Sequence, residues 1–159
     1  MKPRVIVSRC LGFEACRWNA EIIINQTVDE LRDHVDFVTV CPEQDIGLGV
    51  PRKPMDLVMV DGEANVIQKD TGVDLTDELK GFSEAFLDIL GAVDGFILKS
   101  RSPSCGHGTT RIHNGSRVNI GSGVFASYVE KRYPDHVILD ENTLEELGSE
   151  AFLQLVAAP

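Results

Sequence analysis

The stretch Phe37-Val38-Thr39-Val40-Cys41-Pro42-Glu43 decides the fold, because a run rich in β-branched residues ends there at a cysteine. Further short runs have the same character: Val5-Ile6-Val7, Gly95-Phe96-Ile97-Leu98 and Val137-Ile138-Leu139. Each is bounded by polar or turn residues, which is typical of strands buried on both faces of a parallel sheet. Helical patterns lie between them, so the alternation predicts an α/β fold with an open, mostly parallel, Rossmann-like sheet flanked by helices.

Helices are expected at residues 20–33, from Asp74 onwards, from Ser122 to Pro134, and from Asn142 to Val156. Thr27 is a candidate cap within the first of these. A small inserted β-hairpin is predicted between residues 57 and 67, because Asp61-Gly62 favours a tight primed turn. No linker, repeat or low-complexity segment interrupts the chain, so residues 1–159 are expected to form one domain.

The amino-acid composition argues against two classes of function, nucleic-acid binding and membrane association. The 159 residues are 43% hydrophobic and carry 15 basic and 25 acidic side chains, which gives a net charge of −10. Duplex nucleic acid and anionic membranes select for basic surfaces, so we expect no stable nucleic-acid binding and no membrane association. The N-terminus enters a strand directly without a signal peptide, which favours a cytoplasmic protein with a small-molecule ligand. An oligomeric state is not predicted.

Cysteines occupy positions 10, 16, 41 and 105, a spacing that fits no zinc-finger or ferredoxin pattern. Cys10, Cys41 and Cys105 each follow a predicted strand. Ligands bind at the carboxyl edge of open parallel sheets, so we expect these thiols to converge at that edge. Cys16 is open to three interpretations: a fourth ligand of the same centre, a spare thiol, or a redox partner of Cys10.

The residues next to these cysteines suit an anionic sulfur-rich group. In Ser102-Pro103-Ser104-Cys105-Gly106 a proline fixes the turn, and the glycine allows backbone amides to approach closely. Hydrogen bonds to sulfur tune the charge and potential of iron–sulfur clusters. Glu43 lies two residues beyond Cys41, and a glycine-rich loop then leads to Arg52.

Three blocks together resemble the thiouracil desulfidase (TudS-like) family: Cys10-Leu11-Gly12, Cys41-Pro42-Glu43 with Gly47-Leu48-Gly49 and Pro51-Arg52, and Ser102-Pro103-Ser104-Cys105-Gly106. The resemblance extends to Gly121-Ser122-Gly123-Val124 and so covers most of the chain. Arg17-Trp18-Asn19-Ala20 and Ile112-His113-Asn114-Gly115 depart from the family's usual Arg-Tyr-Asp-Gly and Ile-Tyr-Asp-Gly, which puts the substrate rather than the reaction in question.

The resemblance implies an enzyme with a [4Fe-4S] cluster held by Cys10, Cys41 and Cys105. Its open iron would bind the exocyclic sulfur of a thiolated pyrimidine (thiouracil, thiouridine or its monophosphate), and hydrolytic, non-redox C–S cleavage would give the oxo-pyrimidine and sulfide. The chemistry requires a general acid/base, for which Glu43 is the candidate. Ser102 is the candidate for orienting the attacking water or the substrate.

Weaker predictions concern substrate binding. Ser104 is assigned to the turn or to hydrogen bonding with the cluster, and Arg52 to the substrate. Gly121, Ser122 and Gly123 precede a predicted helix and form either a phosphate cradle or an ordinary helix start.

Alternatives from other classes stay open at this point. Four cysteine ligands would suit an iron–sulfur electron-transfer or redox-sensing module. The same thiols without iron would suit a cysteine hydrolase or a zinc site, and the glycine turn alone would suit a plain nucleotide-binding domain.

Overall fold

A computed structural model describes residues 1–157; residues 158–159, the last two of the predicted domain, lie outside the described part. The strands, in chain order, are β1 (Arg4–Ser8), β2 (Asp36–Val40), β3 (Met55–Val60), β4 (Glu63–Gln68), β5 (Gly95–Ile97), β6 (Thr110–Asn114), β7 (Arg117–Gly121) and β8 (Val137–Leu139). The helices are α1 (Gln26–Leu31), α2 (Pro42–Asp45), α3 (Thr76–Leu90), α4 (Val124–Arg132), α5 (Glu141–Leu147) and α6 (Ser149–Ala157).

The predicted strands form one parallel sheet in the order β2-β1-β5-β8. Val5 and Val7 of β1 pack into one apolar cluster with residues of α1, α5 and α6. Ile6, on the opposite face, packs into a second cluster with residues of α3 and α4. Both faces of the sheet are therefore buried, which explains the continuous apolar runs and confirms the α/β fold.

A second sheet is larger than the predicted hairpin. The hairpin exists as β3 and β4, and its turn residues Asp61 and Gly62 have φ of 49° and 85°, as a primed turn requires. However, β6 and β7 join it to give the order β4-β3-β6-β7. The sequence did not reveal β6 and β7, because their residues are mostly half-buried or exposed and form no continuous apolar run.

Two helix predictions need correction. The first helix is shorter than residues 20–33: it begins after Asn25, whose side chain accepts from Val28 N at 3.0 Å, so Asn25 rather than Thr27 is the cap. The last predicted helix is two helices, α5 and α6, separated at Gly148, which has a φ of 90°. A left-handed glycine of this kind ends a helix, so the chain turns between Leu147 and Ser149.

The longest helix, α3, connects the two sheets. Its buried Leu79 packs against the second sheet, and its buried Leu87 packs against the parallel sheet. Phe82 and Phe86 lie against Phe125 of α4, with ring centroids 6.3 and 5.8 Å away. Among residues 1–157, no helix has the length and apolar character needed to cross a bilayer.

Candidate active site

The predicted convergence of three cysteines is present at the carboxyl edge of the parallel sheet. Cys41 directly follows β2, Cys10 lies two residues beyond β1, and Cys105 lies in the loop after β5; these strands are neighbours. All three line one cavity of about 240 Å³, and Cys16 lines it as well. The cavity is therefore built from loops that leave adjacent strands, as expected for an open α/β sheet.

The four thiols are free, and the pKa values of three of them, Cys16, Cys41 and Cys105, are raised. The hydrogen bond between Cys16 and Cys10 raises the pKa of Cys16 to about 11, and burial raises the pKa of Cys105 to about 12. The hydrogen bond with Cys16 also raises the pKa of Cys41. Cys16, Cys41 and Cys105 therefore stay protonated near neutral pH unless a bound cation stabilises the thiolate. Within residues 1–157, no cluster of His, Cys, Asp or Glu has the geometry to hold a single metal ion.

The Cys105 loop is held tightly from within. Ser102 Oγ accepts from Cys105 N at 3.0 Å and from Ser104 N at 3.2 Å. A Cβ on Gly106 would lie 1.9 Å from Thr110 Oγ1 and 2.8 Å from Ser102 O, so no larger residue fits there. The absence of a side chain at Gly106 therefore permits close packing of this loop against Thr110 and Ser102.

Helix α4 holds the same loop from outside. Gly123 N donates to Gly106 O at 2.8 Å, and Val124 N donates to Pro103 O at 3.1 Å. Ser122 Oγ donates to Glu130 at 2.6 Å and accepts from Gly108 N at 2.8 Å. The structure does not bring Gly121, Ser122 and Gly123 to the cavity, because the polar groups of this turn are occupied in anchoring the loop.

Glu43 and Arg52, by contrast, form one wall of the cavity. Glu43, in α2, is only 8% exposed. Its Oε1 accepts from Arg52 Nε at 3.1 Å and lies 3.0 Å from the Arg52 NH2 nitrogen, and its Oε2 accepts from Ser104 Oγ at 3.2 Å. Ser104 Oγ is in turn 3.1 Å from Ser102 Oγ. The predicted residues Glu43, Ser104 and Ser102 thus form a hydrogen-bonded chain beside the cysteines, and Arg52 fixes its carboxylate end.

Lys99 and Ser100, which also line the cavity, contact a buried carboxylate, Glu141, that the sequence does not single out. Glu141 accepts from Ser100 N and Ser100 Oγ, both at 2.7 Å, and its Oε2 lies 3.0 Å from Lys99 Nζ. Burial acts to raise the pKa of Glu141, but the hydrogen bonds from Ser100 and the charge of Lys99 outweigh it, so the pKa lies below its usual value. The only signal in the sequence is the position of Lys99 and Ser100, two and three residues beyond β5.

Basic residues and one aromatic residue complete the lining. Arg9 pairs with Asp45 at 2.9 Å and Arg17 pairs with Glu21 at 3.2 Å. Arg101, which has a left-handed φ of 64°, makes no ion pair within residues 1–157. Trp18 also lines the cavity. An opening that includes an unpaired cation and an aromatic ring suits a planar, anionic or polar small molecule.

Comparisons with known proteins identify the family and support the fold. The sequence model of the family described as 2-thiouracil desulfurase matches residues 5–141. The Bacillus subtilis (strain 168) protein YbbK is 30% identical over 155 residues, which cover 90% of this chain and 99% of that protein. A solved structure, titled [4Fe-4S]-dependent thiouracil desulfidase TudS, superposes with a TM-score of 0.69 at 28% identity and covers 92% of this chain and 95% of that one.

Proposed function

The chain belongs to the 2-thiouracil desulfurase family, and from that premise we propose that it is a [4Fe-4S]-dependent enzyme that removes sulfur from a thiolated pyrimidine. The reaction converts the C=S group and water into C=O and hydrogen sulfide, without net oxidation or reduction. Thiouracil, thiouridine and thiouridine monophosphate are the candidate substrates. The observation that carries the proposal is the buried chain Glu43–Ser104–Ser102 beside the converging thiols.

Cys10, Cys41 and Cys105 are the proposed cluster ligands. They leave three neighbouring strands and line one cavity, and their donor set of soft sulfur atoms fits iron. The raised pKa values of Cys41 and Cys105 couple cluster binding to the loss of their protons. When bound, the cluster supplies a soft Lewis acid suited to the exocyclic sulfur of a thiocarbonyl.

The remaining chemistry belongs to Glu43 and the serines. The proposed role of Glu43 Oε2 is to take a proton from the attacking water and return it to the departing sulfur. Ser104 Oγ links this oxygen to Ser102 Oγ, so the two hydroxyls connect the carboxylate to the cavity. Arg52 binds the other carboxylate oxygen and thereby keeps Oε2 directed at Ser104.

One observation favours a second candidate function. Cys16 lines the same cavity as the three proposed ligands, and Cys41 Sγ donates to Cys16 O at 3.8 Å, so a fourth cysteine is available beside the proposed cluster site. Four thiolate ligands would leave no open iron for a substrate, which suits electron transfer or redox sensing rather than hydrolysis.

The deciding experiment is anaerobic purification, with iron and acid-labile sulfide counted per chain before thiopyrimidine is added. We expect about four of each and then stoichiometric release of new sulfide with the oxo-pyrimidine. Cys10→Ser, Cys41→Ser and Cys105→Ser should each lose iron, whereas Cys16→Ser should retain it. A cluster that is reduced and reoxidised reversibly, and that Cys16→Ser destroys, would replace the desulfidase proposal with the electron-transfer one.

The role of Glu43 has its own test. Glu43→Gln should retain the cluster and lower kcat by about 10²–10⁴-fold, the usual contribution of a positioned acid/base. Glu14→Gln is the matched control, because Glu14 is exposed, lies close to Cys10 in sequence and does not line the cavity. A fully active Glu43→Gln enzyme would remove Glu43 from the mechanism.

A further inference from the structure

Trp18 is placed for contact with a ligand. It is the only tryptophan in the chain, and it is 43% exposed although its indole is large and apolar. Within residues 1–157 it joins none of the apolar core clusters and stacks on no other aromatic ring. Trp18 is instead one of the residues that line the cysteine cavity. Packing within the protein therefore does not account for this side chain.

The loop that carries Trp18 is fixed in place. Ala20 N donates to Arg17 O at 2.9 Å, and Ala20 has a left-handed φ of 63°, so residues 17–20 form a closed turn. The carbonyl of Trp18 accepts from Arg52 N at 2.8 Å. The same Arg52 binds Glu43 through its side chain, so one residue sets the distance between the indole and the proposed acid/base.

From this arrangement we infer that the indole of Trp18 stacks on the pyrimidine ring of the substrate at the cavity opening. This inference rests on the proposed function and adds to it the residue that selects for an aromatic ring. A flat π-surface beside a polar wall recognises a planar heterocycle through stacking, whereas the hydrogen-bonding groups of Glu43, Ser102 and Ser104 recognise its edges. Stacking tolerates a ribose or ribose phosphate on the ring, because those groups lie outside the ring plane.

The single tryptophan makes the contact directly observable. The iron-loaded protein is excited at the red edge of tryptophan absorption and titrated with uridine, which carries the product ring and does not turn over. We expect a saturable change in Trp18 emission. Dihydrouridine keeps the polar edge but has a puckered, non-aromatic ring, so it should bind on the order of tenfold more weakly. Emission that does not respond to uridine in an active enzyme would overturn the inference.

Substitutions give a second, independent readout. Trp18→Leu should raise KM for thiouridine on the order of tenfold and leave kcat within about twofold, and Trp18→Phe should recover most of the affinity. Ile22→Ala is the matched control, since Ile22 is a similarly exposed apolar residue (42%) outside the cavity lining. An unchanged KM in Trp18→Leu would refute stacking, as would a loss that Trp18→Phe does not restore.

The two proposals fail in different ways. Saturable quenching by uridine in a protein that desulfurates no thiopyrimidine would refute the proposed function and leave the Trp18 contact standing. Normal thiopyrimidine turnover, with no response of Trp18 emission to uridine and no change in KM in Trp18→Leu, would refute the contact and leave the desulfidase function standing.

Discussion

Replacement of Arg52 by methionine would test whether the cavity wall is as desolvated as the structure shows. The side chains of Arg52 and Glu43 are only 7% and 11% exposed, and their closest nitrogen–oxygen distance is 3.0 Å. Methionine has a similar length but no charge, so Arg52→Met leaves a buried carboxylate whose remaining side-chain partner is Ser104. Breaking a buried pair in this way typically costs about 3–5 kcal/mol, because the surviving charge stays buried without compensation.

The assay is urea unfolding of the iron-free, reduced protein, in which the variant should lose about 3 kcal/mol without a change in m-value. The double variant Glu43→Gln/Arg52→Met removes both charges and should recover most of the loss, because a buried pair contributes little net stability over neutral groups. Arg17→Met is the control. It breaks the Arg17–Glu21 pair, whose glutamate is 65% exposed, and should cost no more than about 0.5 kcal/mol.

An equal loss in free energy of unfolding in Arg52→Met and Arg17→Met would refute the reasoning, since it would mean that burying the unpaired Glu43 carboxylate carries no energetic penalty. A double variant as unstable as Arg52→Met alone would also contradict it, because the loss would then come from packing of the arginine stem rather than from the unpaired charge. In the iron-loaded enzyme, Arg52→Met should retain the cluster and lower kcat, because the orientation of Glu43 is lost.

Further outcomes are expected at three other positions. Gly106→Ala should lower the iron content and reduce the free energy of unfolding by about 1–3 kcal/mol, because its Cβ would lie 1.9 Å from Thr110 Oγ1. Gly49→Ala is the control and should change neither quantity, because a Cβ there would have no atom within 4 Å. Equal iron contents in the two variants would disprove the packing argument. The lowered pKa of Glu141 stabilises the fold above the usual glutamate pKa of about 4.3, and this stability is lost as the pH falls through the folded-state value. Urea midpoints measured from pH 7 to pH 3 should therefore fall less steeply in Glu141→Gln, and parallel curves would contradict this. Arg101→Asn, which suits the left-handed φ of 64°, should raise KM about tenfold for thiouridine monophosphate but not for thiouracil, and a uniform rise would exclude a phosphate contact.

The sequence predicts the parallel sheet and its cysteines because both depend on local patterns. Buried strands such as Val5-Ile6-Val7 are continuous apolar runs, and a residue that follows such a strand is placed at the carboxyl edge by topology alone. Glu43 and Ser104 are 61 residues apart in the sequence, and Ser100 and Glu141 are 41 residues apart. No local sequence pattern therefore predicts either contact. Glu43 was found through its distance from Cys41, whereas Glu141 had no such neighbour.

The same distinction explains why the sequence did not reveal β6 and β7 and left two interpretations of the glycine turn open. Half-exposed antiparallel strands such as β6 and β7 carry mixed polar residues, and their pairing depends on a partner, β3, that lies some 50 residues earlier. The Gly121-Ser122-Gly123 turn has the composition of an anion cradle. Only the tertiary structure shows that its amide and hydroxyl groups are occupied by the Cys105 loop and Glu130.

The second sheet and the Gly121-Ser122-Gly123 turn share one physical role: both hold the loop that carries Cys105. Cys10 and Cys41 lie within two residues of their strands and inherit the rigidity of the parallel sheet, whereas Cys105 lies eight residues beyond β5. The extra length is stabilised by elements that follow it in the chain: Thr110, the first residue of β6, donates to Ser102 O at 2.7 Å, and Gly123 and Val124, at the start of α4, donate to the Gly106 and Pro103 carbonyls. The second sheet and α4 therefore hold the loop that carries the third cysteine, and a damaged β6–β7 hairpin should release iron before it unfolds the protein.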